Sequence, residues 1–155
     1  MKNQPTEYEY HYRIWYCYWL ETMTETLNRR TENAMNASML ILGAVVSSSN
    51  HFSWLLGIII AILSGCRVAW QYGKKAEAAR QQAKRYGKLA DSMHDLSLPE
   101  IKARLEMIEE FDSIPLSSLF NPARNRACIS LNNRHRERLS ANEKIISFLS
   151  GGIPQ

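Results

Sequence analysis

The sequence predicts an all-α membrane protein: a two-helix transmembrane hairpin, a long helical stalk and a cytoplasmic helical bundle. Three observations predict it. No Lys, Arg, Asp or Glu lies between Glu32 and Arg67, although the chain is 22% charged. A polar cluster, Ser47-Ser48-Ser49-Asn50-His51, divides that stretch in two. Beyond it, small and apolar residues recur at helical spacing as far as Met93. The mean hydropathy of -0.33 hides this segregation.

Length decides how the charge-free stretch is read. As one helix its roughly 34 residues would run about 51 Å at 1.5 Å per residue, too long for a single hydrocarbon core of about 30 Å. Ser and Asn clusters are turn chemistry, and Trp54 beside the turn suits a membrane–water interface. The expected spans are Arg30–Ser48 and Ser53–Tyr72. The second carries the dense apolar run Leu55 to Leu63, whereas the first holds Asn33, Asn36 and Ser38 and is expected to insert as half of the hairpin. The competing reading is a soluble protein with a buried helical hairpin as its core. Against it, the apolar run is aliphatic all round, and the rest of the chain lacks apolar surface to cover two such helices.

Charge sets the orientation. Arg67, Lys74, Lys75, Arg80, Lys84, Arg85 and Lys88 follow the second span against Glu77 alone, and Arg29 and Arg30 precede the first. The turn carries no basic residue, so both termini are expected in the cytoplasm. The opening residues, 1–5, do not read as a signal peptide. Cys17, Cys66 and Cys128 are widely separated and odd in number, and read as reduced structural cysteines.

The expected organisation is an aromatic-rich N-terminal cytoplasmic helix (1–29), the hairpin (30–72) and a cytoplasmic helical domain (73–155). In the first, Thr6 and Glu9 form a possible capping box. Its dense Tyr and Trp residues suit the membrane surface or packing on cytoplasmic helices; acidic Glu7, Glu9, Glu21 and Glu25 favour packing, because anionic lipid would repel them.

In the second span Gly57, Ala61, Gly65, Ala69 and Gly73 form a small-residue stripe, the kind along which helices approach closely in lipid. It serves packing within the hairpin, contact between subunits, or both. Tyr72, Ala76, Ala79, Ala83, Tyr86, Ala90 and Met93 then repeat as a heptad seam, so the second span is expected to continue into a cytoplasmic helix, about 40 residues in total. Ser97-Leu98-Pro99-Glu100 starts the next helix with a capping box and an early Pro. That acidic helix, with Ile101, Leu105 and Ile108 on one face, is expected to fold back on the basic stalk and end before Pro115. A last helix is expected from Asn121 to about Leu149.

The sequence shows no glycine-rich phosphate loop, nucleophile setting or metal-ligand spacing. Each His stands alone. The chain is expected not to be an enzyme and to need no cofactor or metal.

The stalk following the second span, Arg67-Val68-Ala69-Trp70-Gln71-Tyr72-Gly73-Lys74-Lys75-Ala76-Glu77 and then Ala83-Lys84-Arg85-Tyr86-Gly87-Lys88-Leu89, resembles the SLATT family, two-transmembrane effectors of bacterial anti-phage defence. The Leu98-Pro99-Glu100-Ile101 helix, the Ile114-Pro115 break and the Arg/Asn-rich final segment also look like that family's pattern. The likeness covers about residues 25–135. It implies a pore-forming effector in the bacterial inner membrane, served by a nucleotide second messenger (a cyclic or linear oligonucleotide) from a cognate nucleotidyltransferase. It carries no catalytic residues.

Two functions therefore compete: a ligand-gated channel, or a non-conducting scaffold that recruits a partner protein. A soluble basic helical protein that binds nucleic acid is a more distant third. A channel requires a homo-oligomer, since two helices enclose no path, and a tetramer is the expected closed assembly. Asn33, Asn36, Leu40, Gly43 and Ser47 share one helical face and are the expected pore residues, with Leu40 as an apolar constriction. The same face is open to interhelical hydrogen bonding by Asn36. For the ligand, Arg124 and Arg126 near a helix start are expected to meet phosphate, with Asn125, Arg134 and Arg138 beside them and Asn132 and Asn133 available to a base edge. These arginines would otherwise pair with the acidic 91–112 segment or with lipid phosphates.

Overall fold

A computed structural model describes residues 6–48 and 53–152, and every regular element in them is helical. The expected turn residues 49–51 lie outside the described residues.

The first helix, α1 (Glu7–Ser48), carries the N-terminal segment into the expected first span without a break. No Pro occurs in it and its one Gly is Gly43, so nothing in the backbone stops it for 42 residues, about 63 Å. Thr6 and Glu9 cap it as expected, the Thr6 N–H donating to Glu9 Oε2 at 2.6 Å. Its threonines fit because Thr22, Thr24, Thr26 and Thr31 each donate to the carbonyl four residues back.

α2 (Ser53–Trp70) and α3 (Tyr72–Ser92) form the long second arm. The expected single helix is interrupted at Gln71, which adopts a left-handed conformation (φ 48°, ψ 46°). Hydrogen bonds continue across it, from Gln71 N–H to the Arg67 carbonyl and from Lys75 N–H to the Gln71 carbonyl, both 3.1 Å. A non-glycine residue in this region costs roughly 1–2 kcal/mol, offset in part by the hydrogen bonds that continue across Gln71.

The heptad seam is real: Ala76, Ala79, Ala83, Tyr86, Ala90 and Met93 are buried. Its main partner is α1 and not the following helix. The small alanines let α3 lie close along α1, and Tyr86 closes the seam against Tyr10 and Ile14. The following helix, α4 (Leu98–Glu109), starts as predicted, with the Ser97 N–H and hydroxyl both donating to Glu100 Oε2. Ile101 and Leu105 enter the same core. Among the described residues the acids of this segment make no ion pair with the stalk's cations. Glu109 meets Arg13 of α1 at 2.6 Å, Glu106 meets Lys102, and Asp112 accepts from Gln82 and Tyr86.

The expected final helix is two. α5 (Phe120–Ser130) ends at Asn132, left-handed at φ 52°, with the Asn133 N–H donating to the Cys128 carbonyl at 2.8 Å. The chain crosses 131–140 without regular structure before α6 (Ala141–Leu149), capped by Ser140 and Glu143. Asn-Asn tolerates the left-handed turn, and Ser140-x-x-Glu143 restarts the helix. α5 and α6 cover the other side of α1, where Met23, Leu119 and Ala123 form a second core with Trp19, Leu27 and Ile146.

Candidate pore face and ligand site

The upper part of α1 lies antiparallel to α2. Glu32 faces Arg67 at 3.9 Å, and Ser64 Oγ donates to Met39 Sδ at 3.3 Å. The Ser53–Asp95 arm holds a segment long and apolar enough to cross a bilayer, and none of it is buried. Leu55, Ile58, Ile62 and Val68 are exposed. Trp54 and Trp70 are also exposed, at the two ends of α2 and about 24 Å apart along its axis.

Asn33 and Leu40 project outward, Leu40 with 76% of its surface exposed, while Asn36 and Gly43 are half-buried. Ser47 belongs to α1, but its side chain lies outside the described residues. This face is thus not used up by packing on α2. The small-residue stripe is likewise unused at its upper end: a Cβ added to Gly57 or Gly65 would meet nothing within 4 Å. At Gly73 a Cβ would run into the Glu32 carboxylate, so there the stripe does serve the hairpin.

The expected ligand residues do not converge. Arg124 and Arg126 lie beyond the first turn of α5, so the free N–H groups of its start do not reinforce them. Arg124 is exposed and reaches the Asn121 side chain at 3.4 Å. Arg126 is half-buried: its Nη2 donates to the Gly152 carbonyl at 2.8 Å, and its guanidinium lies 5.1 Å from the centre of the Trp19 ring. Asn125 is buried and doubly engaged by Glu137, donating to its carbonyl at 2.9 Å and accepting from its N–H at 2.7 Å. Asn133 bonds Tyr8 Oη and the His135 N–H. Arg134 and Arg138 stand exposed in the 131–140 segment, off any helix. Sequence spacing could not foresee this, because the break at Asn132 moves them away from α5.

Two features carry no short-range sequence signal. Glu21 is buried on α1, where Oε1 accepts from the Ser113 N–H at 2.8 Å and Oε2 has no hydrogen-bond partner among the described residues. Burial pushes its pKa up to about 7. Nearby, burial pushes the Cys17 thiol up to about 12, holding it neutral, and burial raises Tyr86 as well. A cleft of about 420 Å³ between α1 and residues 109–115 passes Arg13, Tyr16, Cys17 and Glu21. A larger one, about 740 Å³, opens below the hairpin between Leu27, Thr31, Tyr72, Lys75, Leu116 and Leu149.

Among the described residues no group of three or more His, Cys, Asp or Glu side chains could hold a metal ion. Fold and site together define an all-helical protein with one exposed apolar helix long enough to cross a bilayer. No protein-family model, curated protein or solved structure matches the chain.

Proposed function

We propose that this chain is the subunit of an oligomeric membrane channel, a pore-forming effector of antiviral defence in a bacterial inner membrane, regulated by a nucleotide signal on its cytoplasmic helices. In this reading α1 from Arg30 and α2 cross the bilayer as a hairpin with both termini cytoplasmic. The observation that carries it is α2, an apolar helix with no buried residue. Water would penalise its exposed aliphatic face at about 25 cal/mol per Å², whereas lipid would not. Trp54 and Trp70 at its ends suit two interfaces, and Arg29, Arg30, Arg67, Lys74 and Lys75 gather at the end assigned to the cytoplasm.

The polar and small residues of α1 support conduction. Asn33 and Asn36 would be costly against lipid but suit the lumen of a closed ring, where Gly43 leaves room and Leu40 would be the narrow apolar point. Ion flux from liposomes tests this directly. Leu40→Ser should raise basal flux and slow cell growth, and a flux equal to wild type would remove Leu40 as the gate.

A non-conducting scaffold is the second reading. Met107 near the end of α4 and Phe111 and Ile114 in the segment after it favour it, being 70%, 63% and 98% exposed where a partner protein would cover them. Purified protein that gives no flux with any nucleotide, yet retains a partner through this patch, would decide for it.

A further inference from the structure

We propose that the groove between α3 and α4, and not the start of α5, is an anion site for a phosphate-bearing ligand with a flat or apolar body. The groove, about 270 Å³, brings Arg85 and Lys88 of α3 to Arg104 of α4 over a floor of Leu89, Met107 and Ile108. Among the described residues none of these three cations makes an ion pair. Glu109 meets Arg13, Glu106 meets Lys102, Asp112 accepts from Tyr86 and Gln82, and Glu100 caps Ser97 while still feeling the Arg104 charge; none of them lines the groove.

Three like charges around one groove repel each other, and the repulsion is relieved when an anion enters. Arg85 is also held in place: its guanidinium lies 5.3 Å from the centre of the Phe111 ring, and Nη1 donates to Gln82 Oε1 at 3.4 Å. A fork so placed presents its free N–H groups to phosphate oxygens, while the Met107 thioether and the aliphatic floor suit a base or other flat group. Phosphates of the chain's own bilayer are too far away. Arg85 lies about 20 Å along the helix from Tyr72, the expected membrane boundary, well beyond a Debye length of about 8 Å.

The inference rests on the proposed function only for the identity of the signal as a nucleotide. Its test is equilibrium binding of mant-ATP to the full chain in phosphatidylcholine nanodiscs, with unlabelled ATP and pyrophosphate as competitors. We expect saturable, salt-sensitive binding that both competitors displace. Lys88→Glu and Arg104→Glu, at exposed positions where helical circular dichroism should be unchanged, should each weaken it at least tenfold, and Arg124→Glu by less than twofold. Binding indifferent to both groove reversals, or lost only with Arg124→Glu, overturns the site. So does a wild-type chain that binds neither mant-ATP nor pyrophosphate. Loss of mant-ATP binding on adding phosphatidylserine to the nanodiscs would identify lipid headgroups as the occupant and overturn the soluble ligand. Absence of ion flux would remove the channel reading while leaving this outcome unaffected.

Discussion

Arg126 donates to the carbonyl of Gly152 at 2.8 Å, so a residue that reads in sequence as a ligand contact ties the turn after α6 to α5. A charge-assisted bond of this kind contributes about 1.5–3 kcal/mol, and the Trp19 ring adds a cation–π contribution. Arg126→Ala should therefore lower Tm measurably. Arg126→Lys should recover little, because a point charge cannot both span to Gly152 and stack on the indole. An unchanged Tm in both variants would show that this tie carries no stability.

Glu21 makes stability depend on pH in an unusual direction. Its folded pKa, about 7, lies above the ordinary carboxyl value of 4.5, so between these limits the folded chain binds a proton that the unfolded chain releases. Stability from this group is complete below about pH 4.5, falls as pH rises, and is lost above about pH 7. The total is on the order of 3 kcal/mol. Glu21→Gln should flatten this part of the profile and raise Tm at pH 8. A denaturation series at pH 5, 6, 7 and 8 would check it, and parallel curves for the two proteins would refute it.

The Tyr86 hydroxyl donates to Asp112 Oδ1 at 2.7 Å, and Gln82 Nε2 reaches the same oxygen at 2.8 Å. Tyr86 is fully buried, so Asp112→Ala would leave its phenol only the weak Cys17 sulfur as a partner, at a cost of about 2 kcal/mol. Tyr86→Phe should cost less, since Gln82 continues to satisfy the carboxylate. The ratio of the two losses, read from denaturant midpoints, tests the network, and equal losses would mean the phenol finds water instead.

The small-residue stripe separates assembly from folding. Gly73→Leu meets Glu32 and should disturb the hairpin itself. A Cβ at Gly65 meets no described atom within 4 Å, so the helical content of Gly65→Leu should survive while any oligomer weakens. Size measurement in detergent reads both, and native size for Gly65→Leu would exclude the stripe as a subunit contact.

Local chemistry was legible wherever a signal sits within about four residues of its effect. The Thr6–Glu9 cap, the Ser97–Glu100 cap and the α3 seam all form where their spacing placed them. The Ser140–Glu143 cap was equally present in the sequence, but the run of arginines before it read as one continuous helix. Asn132 and Asn133 held the turn signal that divides that helix.

The sequence by itself determined that the chain is helical, that one stretch of it is charge-free and largely apolar, and where most helices begin. Those properties depend on side-chain entropy, capping hydrogen bonds and transfer of apolar surface, which act along a few residues of chain. Only the tertiary structure decided that α3 packs mainly on α1 and to a lesser extent on α4, that Asn125 and Arg126 are consumed inside the fold, and that Arg85, Lys88 and Arg104 share a groove with no acid in its lining. The acids of α4 had several cations within reach of their charge. Which they met was settled by the packing of Ile101 and Leu105 beside Tyr10 and Ile14 in the core, which turned Glu109 toward Arg13 and left the opposite edge of α4 positive.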